Sequence, residues 1–103
     1  MREQLYFGRG LPGGGEVSDS AWQRFLEAEI MPRFRDGLTL VEATGQWRCR
    51  AGPTVRERSW VPVLYHQAEE GAEQAVASVV DAYKKAFEQE AVLRDRDMTC
   101  VTL

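Results

Sequence analysis

Glu57 and His66 are the two side chains best suited to proton transfer in this sequence. His66 is the only histidine, the residue type most available as a proton shuttle at physiological pH. Glu57 lies near the end of a predicted hairpin, on the strand side that the valine pattern assigns to the helices. A carboxylate in such a place must be paired, hydrogen-bonded or shifted in pKa. An arginine from the Pro32-Arg33-Phe34-Arg35-Asp36-Gly37 segment could reach it. That arrangement serves either as a buried clamp or as an acid–base group beside an anion-holding arginine. Arg33, Gln46, Arg48, Arg58, Trp60 and Tyr6 are the candidate binding residues.

Other chemistries find less support. Gly8-Arg9-Gly10-Leu11-Pro12-Gly13 matches the spacing of a dinucleotide fingerprint, but its third glycine does not open a helix. The stretch reads as a turn. His66 has no Cys, His or carboxylate at metal-ligand spacing, so no metal and no cofactor is expected. Cys49 and Cys100 fall on opposite faces, which disfavours a disulfide between them. Neither cysteine has a local base that would make it a nucleophile.

The elements that must position these residues follow from the punctuation of the chain. The first strand is expected over Gln4–Arg9, followed by a glycine-rich loop over Gly10–Gly15. Ser18 is a good N-cap, and Val17 with Trp22 has the spacing of a hydrophobic staple. Trp22, Phe25, Leu26 and Ile30 continue at helical spacing, and Pro32 ends the helix. The second strand is expected over Leu38–Arg48 and the third over Val55–His66, joined as a hairpin. A turn near Gly52 would set Trp47 opposite Glu57, Thr44 opposite Trp60 and Val41 opposite Val63. Ala72, Ala75, Val76, Val79, Val80, Tyr83 and Phe87 form the stripe of a second helix. A fourth strand falls within Ala91–Leu103, with Arg94-Asp95-Arg96-Asp97 as its charged start.

This β-α-β-β-α-β order points to a ferredoxin-like α+β fold: a four-stranded antiparallel sheet with both helices on one face. Right-handed crossovers put strands one and three in the middle. Val41, Val61, Val63, Phe25, Leu26, Val76, Val79, Val80, Tyr83 and Phe87 are the expected core. The opposite face would then carry Trp60, Leu64 and His66 among Glu42, Gln46, Arg48 and Arg58. Large apolar groups among polar ones suggest a surface covered by a small organic molecule or by a second copy in a homodimer.

Length and composition bound the possibilities. A chain of 103 residues is one domain. Its 44% hydrophobic and 28% charged residues suit a globular protein. The net charge of −3 argues against a nucleic-acid partner. No apolar run reaches the length of a membrane helix, and no secretory signal is read at the start, so a cytoplasmic location is expected.

Several stretches together carry a resemblance. They are Leu5-Tyr6-Phe7-Gly8, Val17-Ser18-Asp19 with Trp22 and Phe25, and Pro32-Arg33-Phe34 with Asp36-Gly37-Leu38-Thr39. Gly45-Gln46-Trp47-Arg48 with Glu57, and Tyr83-Lys84 with Phe87, Gln89, Val92 and Leu93, complete the set. This pattern resembles a bacterial family known as domain of unknown function 3574. Many of its members look exported or lipid-anchored, whereas this sequence shows neither a signal nor a lipobox cysteine. The resemblance implies no activity; it marks Arg33, Gln46, Trp47, Arg48, Glu57 and Gln89 as motif positions. Two functional classes are expected: a cofactor-independent enzyme of the isomerase, cyclase or lyase type, suited to a biosynthetic pathway, or a non-catalytic binding or assembly module.

Overall fold

The computed structural model describes residues 1–48, 50 and 52–103. Its elements are β1 (Arg2–Gly8), α1 (Asp19–Phe25), β2 (Thr39–Arg48), β3 (Thr54–Tyr65), α2 (Glu70–Ala86) and β4 (Leu93–Asp97). A π-helical turn, Leu26–Ile30, extends α1 and is closed by the Met31 amide on the Leu26 carbonyl at 2.9 Å. Ser18 caps α1, its hydroxyl accepting from the Ala21 amide at 3.1 Å. Val17 and Trp22 are both buried, as a staple requires.

All strand pairs are antiparallel, and the strand order is β2-β3-β1-β4. The ferredoxin-like arrangement is present, with β1 and β3 central. One cluster joins Leu5 and Phe7 of β1, Trp60 and Leu64 of β3, Trp22 and Phe25 of α1, and Val76, Val79 and Tyr83 of α2. Both helices therefore cover the same face.

That face is the reverse of the one the valine pattern suggested. Trp60 and Leu64 are 2% and 1% exposed, whereas Val41 is 45% exposed. The sheet face turned from the helices carries Val41, Val61, Val63, Tyr65 and Glu57. The reason lies in ring size. Trp22, Phe25, Tyr83 and Phe87 of the helices demand large partners, and Phe7 and Trp60 supply them. Trp60 stacks parallel on Trp22 at 4.7 Å, with the Arg9 guanidinium 3.8 Å from its ring centre. The charged residues in the same alternation, Arg56 and Arg58, are exposed towards the hairpin end of β3.

The hairpin register is offset by two residues from the expected one. Val41 faces Val61, Thr44 faces Arg58, and Trp47 faces Val55. An even offset leaves the pairing of faces between β2 and β3 unchanged. The charged run Arg94–Asp97 is not a lead-in but most of β4 itself. Charge on a short edge strand protects it from pairing with other chains. The expectation about Cys49 concerns a residue outside those described, as do the packing of the Trp47 side chain and part of the Arg50–Thr54 loop.

Candidate functional site

β3 carries two different charge sites near its two ends. They are about nine residues apart, roughly 30 Å of extended chain. At the C-terminal end, Glu3 of β1 is fully buried beneath α2. Arg94 holds it with two hydrogen bonds, at 2.7 and 2.6 Å, and also meets Glu73 of α2 at 2.8 Å. Arg96 pairs with Glu73 as well. His66 Nε2 lies 2.7 Å from Glu3, and its Nδ1 lies 2.5 Å from the Gln67 carbonyl oxygen. Both ring nitrogens thus face acceptors, and only the imidazolium can donate to both. Burial pushes the Glu3 carboxyl up, but hydrogen bonds from Arg94 and His66 and the charges of Arg94 and Arg96 outweigh it. The net shift is downward. Glu3, His66 and Glu73 could also be read as metal ligands by proximity. The guanidinium groups already occupy those carboxylates, and a cation would have to displace them.

The other site lies where β1 ends. Gly8 and Gly10 stand two residues apart and so present the same side, turned away from the helices. The Glu57 carboxylate fills the volume their side chains would take: a Cβ on Gly8 would overlap Oε1, and one on Gly10 would sit 3.2 Å from Oε2. Glu57 is half-buried. Among the described residues no hydrogen bond or ion pair engages its carboxylate. From the edge, Tyr83 donates its hydroxyl to the Gly8 carbonyl at 2.7 Å. Burial, then the nearby Glu57 charge, push the Tyr83 phenol far above its usual value, against a smaller opposing effect of Arg9. Tyr83 is therefore a neutral donor, not a base. Gln89 donates its side-chain amide to the Gly10 carbonyl at 2.8 Å and the Phe87 carbonyl at 3.0 Å.

The sequence-predicted residues divide between these places. Glu57, Gln46 and Arg58 line one open groove of about 470 Å³ with Glu16, Thr44 and Arg56, but Gln46 and Arg58 belong to the helix-side alternation whereas the Glu57 carboxylate lies on the other face, against Gly8 and Gly10. Arg58 reaches Glu16 at 3.4 Å. Arg48 lies exposed at the hairpin end, opposite Thr54. His66 and Arg33 share a second cavity, about 380 Å³, at the far end. Arg33 is tied to Glu29 at 3.0 Å and does not clamp Glu57, because its segment packs at the opposite end of β3. Trp60 is in the core rather than on an open face. Tyr6 lies on the uncovered face, its hydroxyl 3.2 Å from Gln4 Oε1.

Gly8, Gly10 and Tyr83 were not among the candidates, and Gln89 was marked only by resemblance. The usable signal was Gly8-x-Gly10: two glycines at strand spacing clear one face for something large.

A family model described as Protein of unknown function (DUF3574) matches residues 2–103. The chain belongs to that family. No curated protein matches this DUF3574 chain. Its fold is similar to that of a phage SAM lyase solved in complex with S-methyl-5'-thioadenosine, with a TM-score of 0.67 and 15% sequence identity. The likeness covers 90% of this chain and 76% of that one. No described helix is long and apolar enough to cross a membrane.

Proposed function

We propose that this protein is a cofactor-independent small-molecule enzyme of the lyase type, with Glu57 as its general base. The observation that carries the reading is the Glu57 carboxylate itself, half-buried against two glycines with no partner among the described residues. Structural carboxylates in such positions are normally paired, and an unpaired one is a candidate acid–base group. The similar fold of a lyase that binds a small molecule supports the same class.

In an elimination, Glu57 takes the proton from the substrate carbon next to the scissile bond. The C–H electron pair becomes the new π bond, and the leaving group departs with the electrons of the broken bond. Glu57 then returns the proton to solvent or to the leaving group. Tyr83, neutral and bound to Gly8, holds the β1 end in place during the step.

The test compares wild type with Glu57→Gln, starting with SAM as substrate. Consumption by wild type, slowed about a hundredfold or more in the variant, is expected from loss of a general base. Equal rates in the two proteins overturn the catalytic role of Glu57. A wild type inert towards SAM favours the second reading, an assembly or binding module. That reading draws on the uncovered face, where Leu93, Tyr6, Val61 and Val41 run across the sheet. Leu93 and Val41 are 64% and 45% exposed. A homodimer over this face would appear as a concentration-dependent rise in sedimentation coefficient.

A further inference from the structure

We propose that Glu57 Oε1 and Gln89 Oε1 form an acceptor pair that binds the ammonium group of an amine-bearing small molecule. The proposal rests on the reading that the Gly8 end of the sheet is the functional site, and it names the class of ligand.

The orientation of Gln89 is fixed by its donors. Its Nε2 is committed to the carbonyls of Gly10 and Phe87, so Oε1 must point the other way. Its backbone amide is anchored on the Lys84 carbonyl at 3.0 Å. The preceding residue, Glu88, adopts φ 53°, a left-handed conformation that a non-glycine residue takes at some cost. This turn delivers Gln89 to the edge of β1. Its Oε1 lies 3.8 Å from the position of a Gly8 Cβ, the same position that Glu57 Oε1 fills.

Two acceptor oxygens therefore converge beside Gly8, and no described residue supplies a donor between them. Tyr83 is committed to the Gly8 carbonyl. Arg9 extends on the opposite, helix-covered side, over Trp60 and towards Glu42 at 2.7 Å. Converging acceptors without a donor repel each other, and a half-buried pair is costly to leave unsatisfied. A primary ammonium offers three donors and the charge opposite to that of Glu57. The glycines leave room for it because neither carries a side chain.

The competing explanation is a proton held on Glu57 and donated to Gln89. The experiment separates the two. Amide and side-chain NMR spectra are followed while ethylammonium, or uncharged ethanol, is added at constant ionic strength. Saturable shifts at Gly8, Gly10 and the Gln89 side-chain amide with ethylammonium alone are expected. They should weaken about tenfold or more in Glu57→Gln, the loss expected for a charge-assisted hydrogen bond. Should that variant fail to fold, Gly8→Ala serves, since the added methyl evicts the carboxylate from its seat. Equal shifts with ethanol, or binding undiminished in a folded variant, overturn the proposal. So does a carboxyl carbon shift showing Glu57 protonated at neutral pH. Ethylammonium binding without turnover of any substrate keeps the clamp and sinks the enzyme; turnover without ethylammonium binding does the reverse.

Discussion

Glu3 and Glu57 lie at opposite ends of the same sheet, and their surroundings differ in kind. Glu3 is fully buried and meets Arg94, Arg96 and His66. Glu57 is half-buried and meets two glycines, with no partner among the described residues. The first arrangement is satisfied by its own chain, so a ligand would have to displace one of its hydrogen bonds or ion pairs. His66 shows this well: the residue type most suited to acid–base work is locked between a carboxylate and a carbonyl. The second arrangement leaves a charge available. Satisfaction, rather than residue type, separates the structural site from the functional candidate.

The sharpest break of this comparison is Arg94→Met. It leaves Glu3 buried with fewer counter-charges, and should cost about 3 kcal/mol or more in urea unfolding. A loss below about 1 kcal/mol would mean that the cluster is not what fastens β4. The pH dependence comes next. Because the Glu3 carboxyl is lowered in the folded chain, its contribution is complete above its ordinary value of 4.5. It is lost as pH falls through the lowered folded value. Glu3→Gln should therefore be less stable at neutral pH and show a flatter acid limb than wild type, read from unfolding midpoints between pH 2 and 7.

Smaller effects are expected at the other end. Gly8→Ala pushes aside only the tip of a flexible side chain, so its stability change should stay within about 1 kcal/mol. Its turnover should nonetheless fall with that of Glu57→Gln. Smallest is the stability change of Glu57→Gln itself, within about 0.5 kcal/mol of either sign. A loss of about 3 kcal/mol there would place Glu57 in the same class as Glu3 and end the distinction.

The element order and strand order were legible because helix and strand periods differ so clearly in this chain. The Ala75–Val79–Tyr83 stripe and the Ser18 cap each admit one reading. The orientation of the sheet was not legible in the same way. On β3 the helix-covered alternation runs Arg56, Arg58, Trp60, Pro62, Leu64, and its charged half misleads when the strand is judged as a whole. Only the part beneath the helices is subject to burial, and the sequence does not mark where the helices stop. The Glu57 site was half legible. Its carboxylate was singled out, but an arginine of the Pro32–Gly37 segment was offered as its partner because proximity in three dimensions cannot be read from spacing. The Glu3 network escaped notice, since its members lie on β1, α2, β4 and just beyond β3, and none forms a motif alone.

The bond between Arg94 and Glu3 spans 91 positions of sequence. Its consequence is one of timing. β1 is central in the finished sheet, yet its outer neighbour β4 comes last in sequence of the four described strands. Until β4 emerges, β1 presents an open edge and Glu3 lacks the guanidinium that makes its burial tolerable. The nascent chain can assemble β3 against β1 and lay α2 across them, but the buried carboxylate discourages full closure at that end. Arrival of the Arg94–Asp97 strand supplies hydrogen bonds for the edge and counter-charge for Glu3 in one event. With α2 already in place, β4 closes through residues 87–92 alone, so this strand acts as a latch with a short tether.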